Sequence, residues 1–165
     1  MSTDRPRRNI PVTSPHARLT DLGLSVPPPP PPKGNYFPVR LHNGQLWVSG
    51  ATARTPAGPG TVGVVGDDVT VEHAQAQARV AALNLIAAID AAVGLDAVTA
   101  VLHLRGYVRG APTLADHPAV IDGASGLILA VFGAEVGAHA RTAIGVASLP
   151  GGACVELDLV AAVDR

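Results

Sequence analysis

Hydrophobic and polar residues change rhythm several times along the chain, and each change predicts an element. "YFPVRLHNGQLWVSG", residues 36–50, holds two runs of β character around Asn43-Gly44, a dipeptide that favours a tight hairpin. Residues 51–69 are rich in Gly, Pro and Thr and leave room for one short strand at Val62 to Val65. The period then lengthens: apolar side chains at 71, 74, 78, 82, 85, 86, 89 and 93 trace a helical stripe. Thr70 is its expected N-cap and Gly94 its expected C′ residue. "LDAVTAVLHLRGYVRG" returns to alternation. It predicts a strand with Ala100, Leu102, Leu104 and Val108 on one face and His103, Arg105 and Tyr107 on the other. A second helix is predicted from near Pro118 to Phe132, closed by Gly133. Two strands joined through "LPGGA" complete the pattern. The order β-β-(β)-α-β-α-β-β predicts an α+β fold, a mixed β-sheet with two helices packed on one face.

The first 34 residues have a different character. They contain the run Pro27 to Pro32, which lacks backbone donors and favours an extended polyproline II conformation. The expected division is an extended, Pro-rich N-terminal arm over 1–34, acting as a stiff spacer packed along the domain, and one domain over 35–165. Twelve basic against thirteen acidic side chains give a net charge of −1, and aromatics make up 3%. Neither the basic footprint nor the stacking platforms of a nucleic-acid binder are present. No apolar run is expected to reach the roughly 18 residues of a membrane span. No apolar signal core follows Arg5, Arg7 and Arg8. A single cysteine, Cys154, makes no internal disulfide, which suits a cytoplasmic location.

The short motifs exclude several chemistries. Gly58, Gly60 and Gly63 spell G-x-G-x-x-G, but Pro56 and Pro59 interrupt the lead-in and no helix follows at once, so this is a glycine-rich loop. The six histidines and Cys154 lack the spacing of a zinc site, so no metal is expected. Ser49, His139 and Asp122 can be assembled into a triad on paper, without the nucleophile elbow that would support it. His103, Arg105 and Tyr107 suit an outer face or a subunit contact. Arg141 and Glu156 stand out as charges among small apolar residues in the last two strands. Two readings are open: a buried ion pair across adjacent antiparallel strands, or a site for a small acid. In the second, the guanidinium grips a carboxylate while the glutamate handles a proton.

"AHARTAIGVASLPGGACVELDLVA" resembles the C-terminal signature of the reactive intermediate deaminase (Rid, or YjgF) family, older name endoribonuclease L-PSP. "GNYFPVR", "LWVSGA" and the Ala-rich "AALNLIAAI" match further family segments in order, and "VIDGASGLILAVFG" is similar to a longer, divergent branch. The likeness spans about residues 22 to 163.

The resemblance implies a chorismate-mutase-like fold whose subunits form a trimeric barrel with a ligand cleft at each interface. It implies Arg141 as the clamp for a substrate carboxylate and Glu156 as the group that positions or activates water. Tyr36, Ser49 and Gly50 would line the cleft. The implied reaction needs no cofactor: hydrolysis of reactive 2-imino or enamino acids to 2-keto acids and ammonia. Two positions depart from the family pattern. Asp122 stands where the well-studied deaminases carry asparagine, and Ala143 where active members often carry cysteine. The alternatives are a non-catalytic trimer that binds a small carboxylate-bearing metabolite, and a pathway-specific hydrolase of a larger imine-type substrate. Trimerisation also has a physical argument, since a helix-free sheet face with many apolar side chains needs a cover.

Overall fold

The computed structural model describes residues 13–164. Arg5, Arg7 and Arg8 therefore lie outside the described residues. The elements are α1 (Pro15–Asp21), β1 (Val39–His42), β2 (Gln45–Thr52), α2 (Val71–Val93), β3 (Val98–Arg109), α3 (His117–Val136), β4 (Ala140–Val146) and β5 (Val155–Val163). The five strands form one mixed sheet in the order β1-β2-β5-β3-β4, antiparallel except for the β3–β4 pair.

Local chemistry explains most boundaries. Asn43 (φ 50°) and Gly44 (φ 73°) take the two left-handed positions of the β1–β2 hairpin. The Thr70 side chain caps α2 by accepting from the His73 N–H, and Gly94 leaves it at φ 78°. Gly133 (φ 85°) interrupts α3 directly after Phe132. The α2 stripe is buried as its spacing predicts, from Ala74 and Ala78 to Leu85, Ile86 and Ile89. It meets Leu46, Leu104, Leu157 and Leu159 of the sheet in one core with α3.

Five expectations need correction. The fold has three helices rather than two. Residues 15–21 of the supposed extended arm form α1, capped by Ser14 with Pro15 at its start, and Leu19 is buried in the core. The cap and the early proline are ordinary helix-start signals. Val62 and Val65 make only isolated bridges, with no strand. Leu102 is 38% exposed, because β3 shifts register against β5 between Val101 and His103 and the alternation breaks there. α2 and α3 are in fact long and apolar enough to cross a membrane by length and composition. Both pack on the sheet instead.

The helix-free face is also more polar than expected. Arg105 Nε donates to Asp158 at 2.6 Å, Tyr107 Oη donates to the same carboxylate at 3.0 Å, and His103 meets Thr142 at 3.1 Å. The Asp158 hydrogen bond raises the Arg105 pKa, while burial and then Asp158 raise that of Tyr107. Trp47, 47% exposed, and Ile144, 46% exposed, supply apolar surface beside this network.

Candidate functional site

Tyr36, Ser49, Gly50 and Glu156 line one cavity of about 310 Å³. β1 pairs with β2 only up to Val48, so the rest of β2 has a free outer edge. The segment before β1 folds over that edge. Ser49 N–H donates to the Pro38 carbonyl at 2.8 Å, and Ser49 Oγ donates to the Phe37 carbonyl at 2.8 Å. The hydroxyl is thus a strut holding the Tyr36–Pro38 segment in place.

Glu156 is opposite Thr52 on β2 and Tyr107 on β3. β2 shifts register between Val48 and Ala51, and the Glu156 carboxyl lies directly over Gly50. A Cβ there would overlap Glu156 Oε1, so glycine is what lets the carboxyl occupy this place. Among the described residues Glu156 makes no ion pair. Burial pushes its carboxyl above the ordinary range, and the nearby Asp158 charge adds to the rise. A half-buried, unpaired carboxyl with a raised pKa is suited to take and return a proton.

Arg141 lies elsewhere. It is on β4, in register with Leu104, which is buried beneath the helices. Arg141 Nη1 donates to Asp122 Oδ1 at 2.5 Å and to Ser125 Oγ at 3.2 Å. Ser125 and His139 Nε2 are 3.0 Å apart, and His139 Nδ1 donates to the Gly137 carbonyl at 2.6 Å. A carbonyl only accepts, so Nδ1 carries the proton, and in the neutral ring Nε2 accepts from Ser125. Both Nη1 hydrogens are used. Among the described residues Nε and Nη2 make no hydrogen bond, which leaves one edge of the guanidinium open for a bidentate carboxylate.

The ion pair between Arg141 and Glu156 does not exist. β3 lies between β4 and β5, and the two side chains are on opposite sheet faces. Two strand spacings separate their backbones by about 10 Å across the sheet, and the three-residue offset from Leu104 to Tyr107 adds about 10 Å along it. Ser49, His139 and Asp122 form no triad either, since Ser49 is at the Glu156 cavity and His139 in the Arg141 cluster.

Sequence reasoning missed Ser125 and Asn84. The i, i+3 spacing of Asp122 and Ser125 puts them on one helix face and was a usable signal. Asn84, 4% exposed, sits within the apolar stripe of α2, and its Nδ2 donates to the carbonyls of Thr52 (2.9 Å) and Arg54 (2.7 Å). Nothing local distinguishes it from a chance polar residue. Among the described residues no cluster of His, Cys, Asp and Glu could hold a metal ion, and Cys154 is buried with its thiol pKa raised by that burial.

The geometry has counterparts in known proteins. The family described as "YjgF/chorismate mutase-like, putative endoribonuclease" matches residues 16–162. Protein TCP17 of Trypanosoma cruzi is 42% identical over 143 residues, 86% of this chain and 89% of that protein. The crystal structure of Atu1372 from Agrobacterium tumefaciens, a protein of unknown function, is 37% identical with a TM-score of 0.83, covering 92% of each chain. A structure described as a putative endoribonuclease from Shewanella oneidensis is 31% identical with a TM-score of 0.87, covering 91% of this chain and 99% of its own. The chain belongs to the YjgF/chorismate mutase-like family.

Proposed function

We propose that the protein hydrolyses reactive 2-imino or enamino acids to 2-keto acids and ammonia, at a site assembled between copies of the chain in a homotrimer. The observation that carries this reading is the Glu156 carboxyl, unpaired and half-buried over Gly50 in a cavity shared with Tyr36 and Ser49. Arg141 of a neighbouring copy would supply the carboxylate clamp, through the Nε/Nη2 edge that Asp122 leaves open. Asp122 then orients the clamp without blocking it.

The chemistry asks for little. Water adds to the carbon of the protonated C=N bond as the Glu156 carboxylate takes one of its protons, giving a neutral tetrahedral amino alcohol. The carboxyl returns that proton to nitrogen; as the C–N bond breaks, the hydroxyl becomes the keto C=O, its proton passes to the carboxylate, and ammonia leaves. Imines hydrolyse unaided, so holding the acid beside one ordered water supplies the acceleration. Exposed aromatics favour assembly: Tyr36 is 48%, Phe37 74% and Trp47 47% exposed, all in or beside the β1–β2 hairpin. The ribonuclease in the family description is disfavoured by the net charge of −1 and by the carboxylates of Glu156 and Asp158 on the helix-free face.

The test generates 2-imino acids in situ with an amino-acid oxidase and traps free imine with semicarbazide. The expected result is loss of trappable imine with the native protein and none with Arg141→Ala. Arg141→Lys should retain little, because a point charge cannot reproduce a bidentate grip. Untouched imine with the native protein would refute the deaminase reading and favour a cleft that only binds carboxylates.

A further inference from the structure

We infer that the Glu156 cavity takes an acid with a second anionic group, held by the Arg54 guanidinium with the Lys33 ammonium. This rests on the reading of that cavity as the ligand site. Arg54 follows Thr52, the β2 partner of Glu156, by two residues, so its backbone lies at most about 7 Å further along the chain. It is half-buried and lines both this cavity and an adjoining one of about 420 Å³ beneath Pro27–Pro31.

Among the described residues its guanidinium makes neither an ion pair nor a side-chain hydrogen bond. The pairs present are His16–Asp90, Arg105–Asp158 and Arg141–Asp122. A half-buried cation without a counter-charge is costly and fits an anion that arrives as ligand.

Its position is nonetheless built. Asn84 is the one buried polar side chain among the described residues, and it is spent on the carbonyls of Thr52 and Arg54, fixing the loop from which the guanidinium projects. Pro30 to Pro32 wall the cavity beside Lys33. Prolines offer no N–H, so beside them the charged donors open to an anion are Arg54, half-buried, and Lys33, at the exposed rim. An acid with one carboxylate satisfies Arg141 of the neighbouring copy and leaves Arg54 unpaired. An acid with two anions satisfies both.

A second carboxylate and a phosphate-like group share this chemistry, and calorimetric titration separates them. The ligands are 2-oxobutanoate (one anion), 2-oxoglutarate (a second carboxylate) and 2-oxo-4-phosphonobutanoate (a phosphonate as its second anion). The better two-anion acid should bind native protein about tenfold or more tightly than 2-oxobutanoate, the scale of one charged hydrogen-bonded contact. That preference should collapse towards unity in Arg54→Ala and in Arg54→Gln, which keeps most of the stem, and survive in part in Arg54→Lys. Because the readout is a ratio within each variant, general weakening of the fold does not mimic it. Equal binding of all three acids, binding of none, or a preference undiminished in Arg54→Ala would overturn the inference. If native protein hydrolyses no imine while the Arg54-dependent preference stands, the deaminase reading falls and the subsite remains.

Discussion

Gly50→Ala isolates the placement of one carboxyl from the stability of the fold. The new Cβ would overlap Glu156 Oε1 and sit 3.2 Å from Cδ and 3.6 Å from Cγ, so the obstruction is the far end of a flexible side chain. Gly50 is not among the positive-φ glycines, so alanine fits its backbone. Moving Glu156 to a less favourable rotamer costs about 0.5–1.5 kcal/mol. Loss of unfolded-state freedom at position 50 offsets about 0.4–1 kcal/mol of this. The net change should stay within about 1 kcal/mol, read by urea denaturation. Activity should fall far more, because displacing a water-handling group by about 1 Å or more costs on the order of 100-fold. In the imine-trapping assay, kcat should drop by that order. The Glu156 carboxyl, followed by NMR titration, should return towards its ordinary range as it leaves its half-buried place. Full activity with a demonstrably moved carboxyl would refute the role assigned to Glu156. A loss of more than about 3 kcal/mol would show that the carboxyl cannot yield and that the packing argument is wrong.

Other outcomes follow from the same geometry. The folded-state pKa of Glu156 is raised, so its contribution to stability is present below the ordinary carboxyl pKa and is lost as pH rises through the folded value. Glu156→Gln removes that dependence. Paired thermal melts from pH 4 to 8 should show the variant gaining on the native protein as pH rises. Asp122→Asn should change stability by under about 1 kcal/mol, since Asp122 is 58% exposed, and should lower KM for an anionic imine by removing a negative charge beside the clamp. Asn84→Ala should destabilise by about 1–3 kcal/mol in chemical denaturation, because two backbone carbonyls lose their donor. Sedimentation should give three times the 16.7 kDa chain mass, and a monomer at working concentration would remove the basis for a site shared between copies.

The regular elements were legible because their signals are local. The 3.6-residue stripe, Thr70, Asn43-Gly44 and Gly133 each act within a few residues, and the structure uses each as expected. α1 was hidden by its setting: seven residues with one buried side chain, Leu19, offer no period to read, and the prolines after it suggested an arm. The proline segment itself lines a cavity of about 420 Å³ together with Val80 and Leu83 of α2. Strand order was the harder part. Sequence neighbours usually pair in space, so β4 and β5 looked adjacent, but α3 carries the chain back to lay β4 parallel to β3 at the far edge. That one topological fact separates Arg141 from Glu156 and removes the apparent ion pair. The cavity residues Tyr36, Ser49, Gly50 and Glu156 do come together, whereas the supporting roles of Ser125 and Asn84 depend on tertiary contacts that no local pattern encodes.

The close approach of α2 and α3 leaves no room for a side chain where they cross. A Cβ at Gly123 would strike the backbone carbonyl of Gln75, and the Gln75 side chain bridges to the Ala119 carbonyl at 2.8 Å. Backbone cannot swing aside as a side chain can, so position 123 should be closed to every residue but glycine over evolutionary time. Ala74, Ala78, Ala81 and Ala82 share this constraint in milder form, each fully buried on α2. A lineage that enlarged residue 123 would have to move the helices apart, and with them the loop that Asn84 ties to the cavity. At this crossing the helix spacing, and through it the cavity loop, is set by the absence of a single side chain.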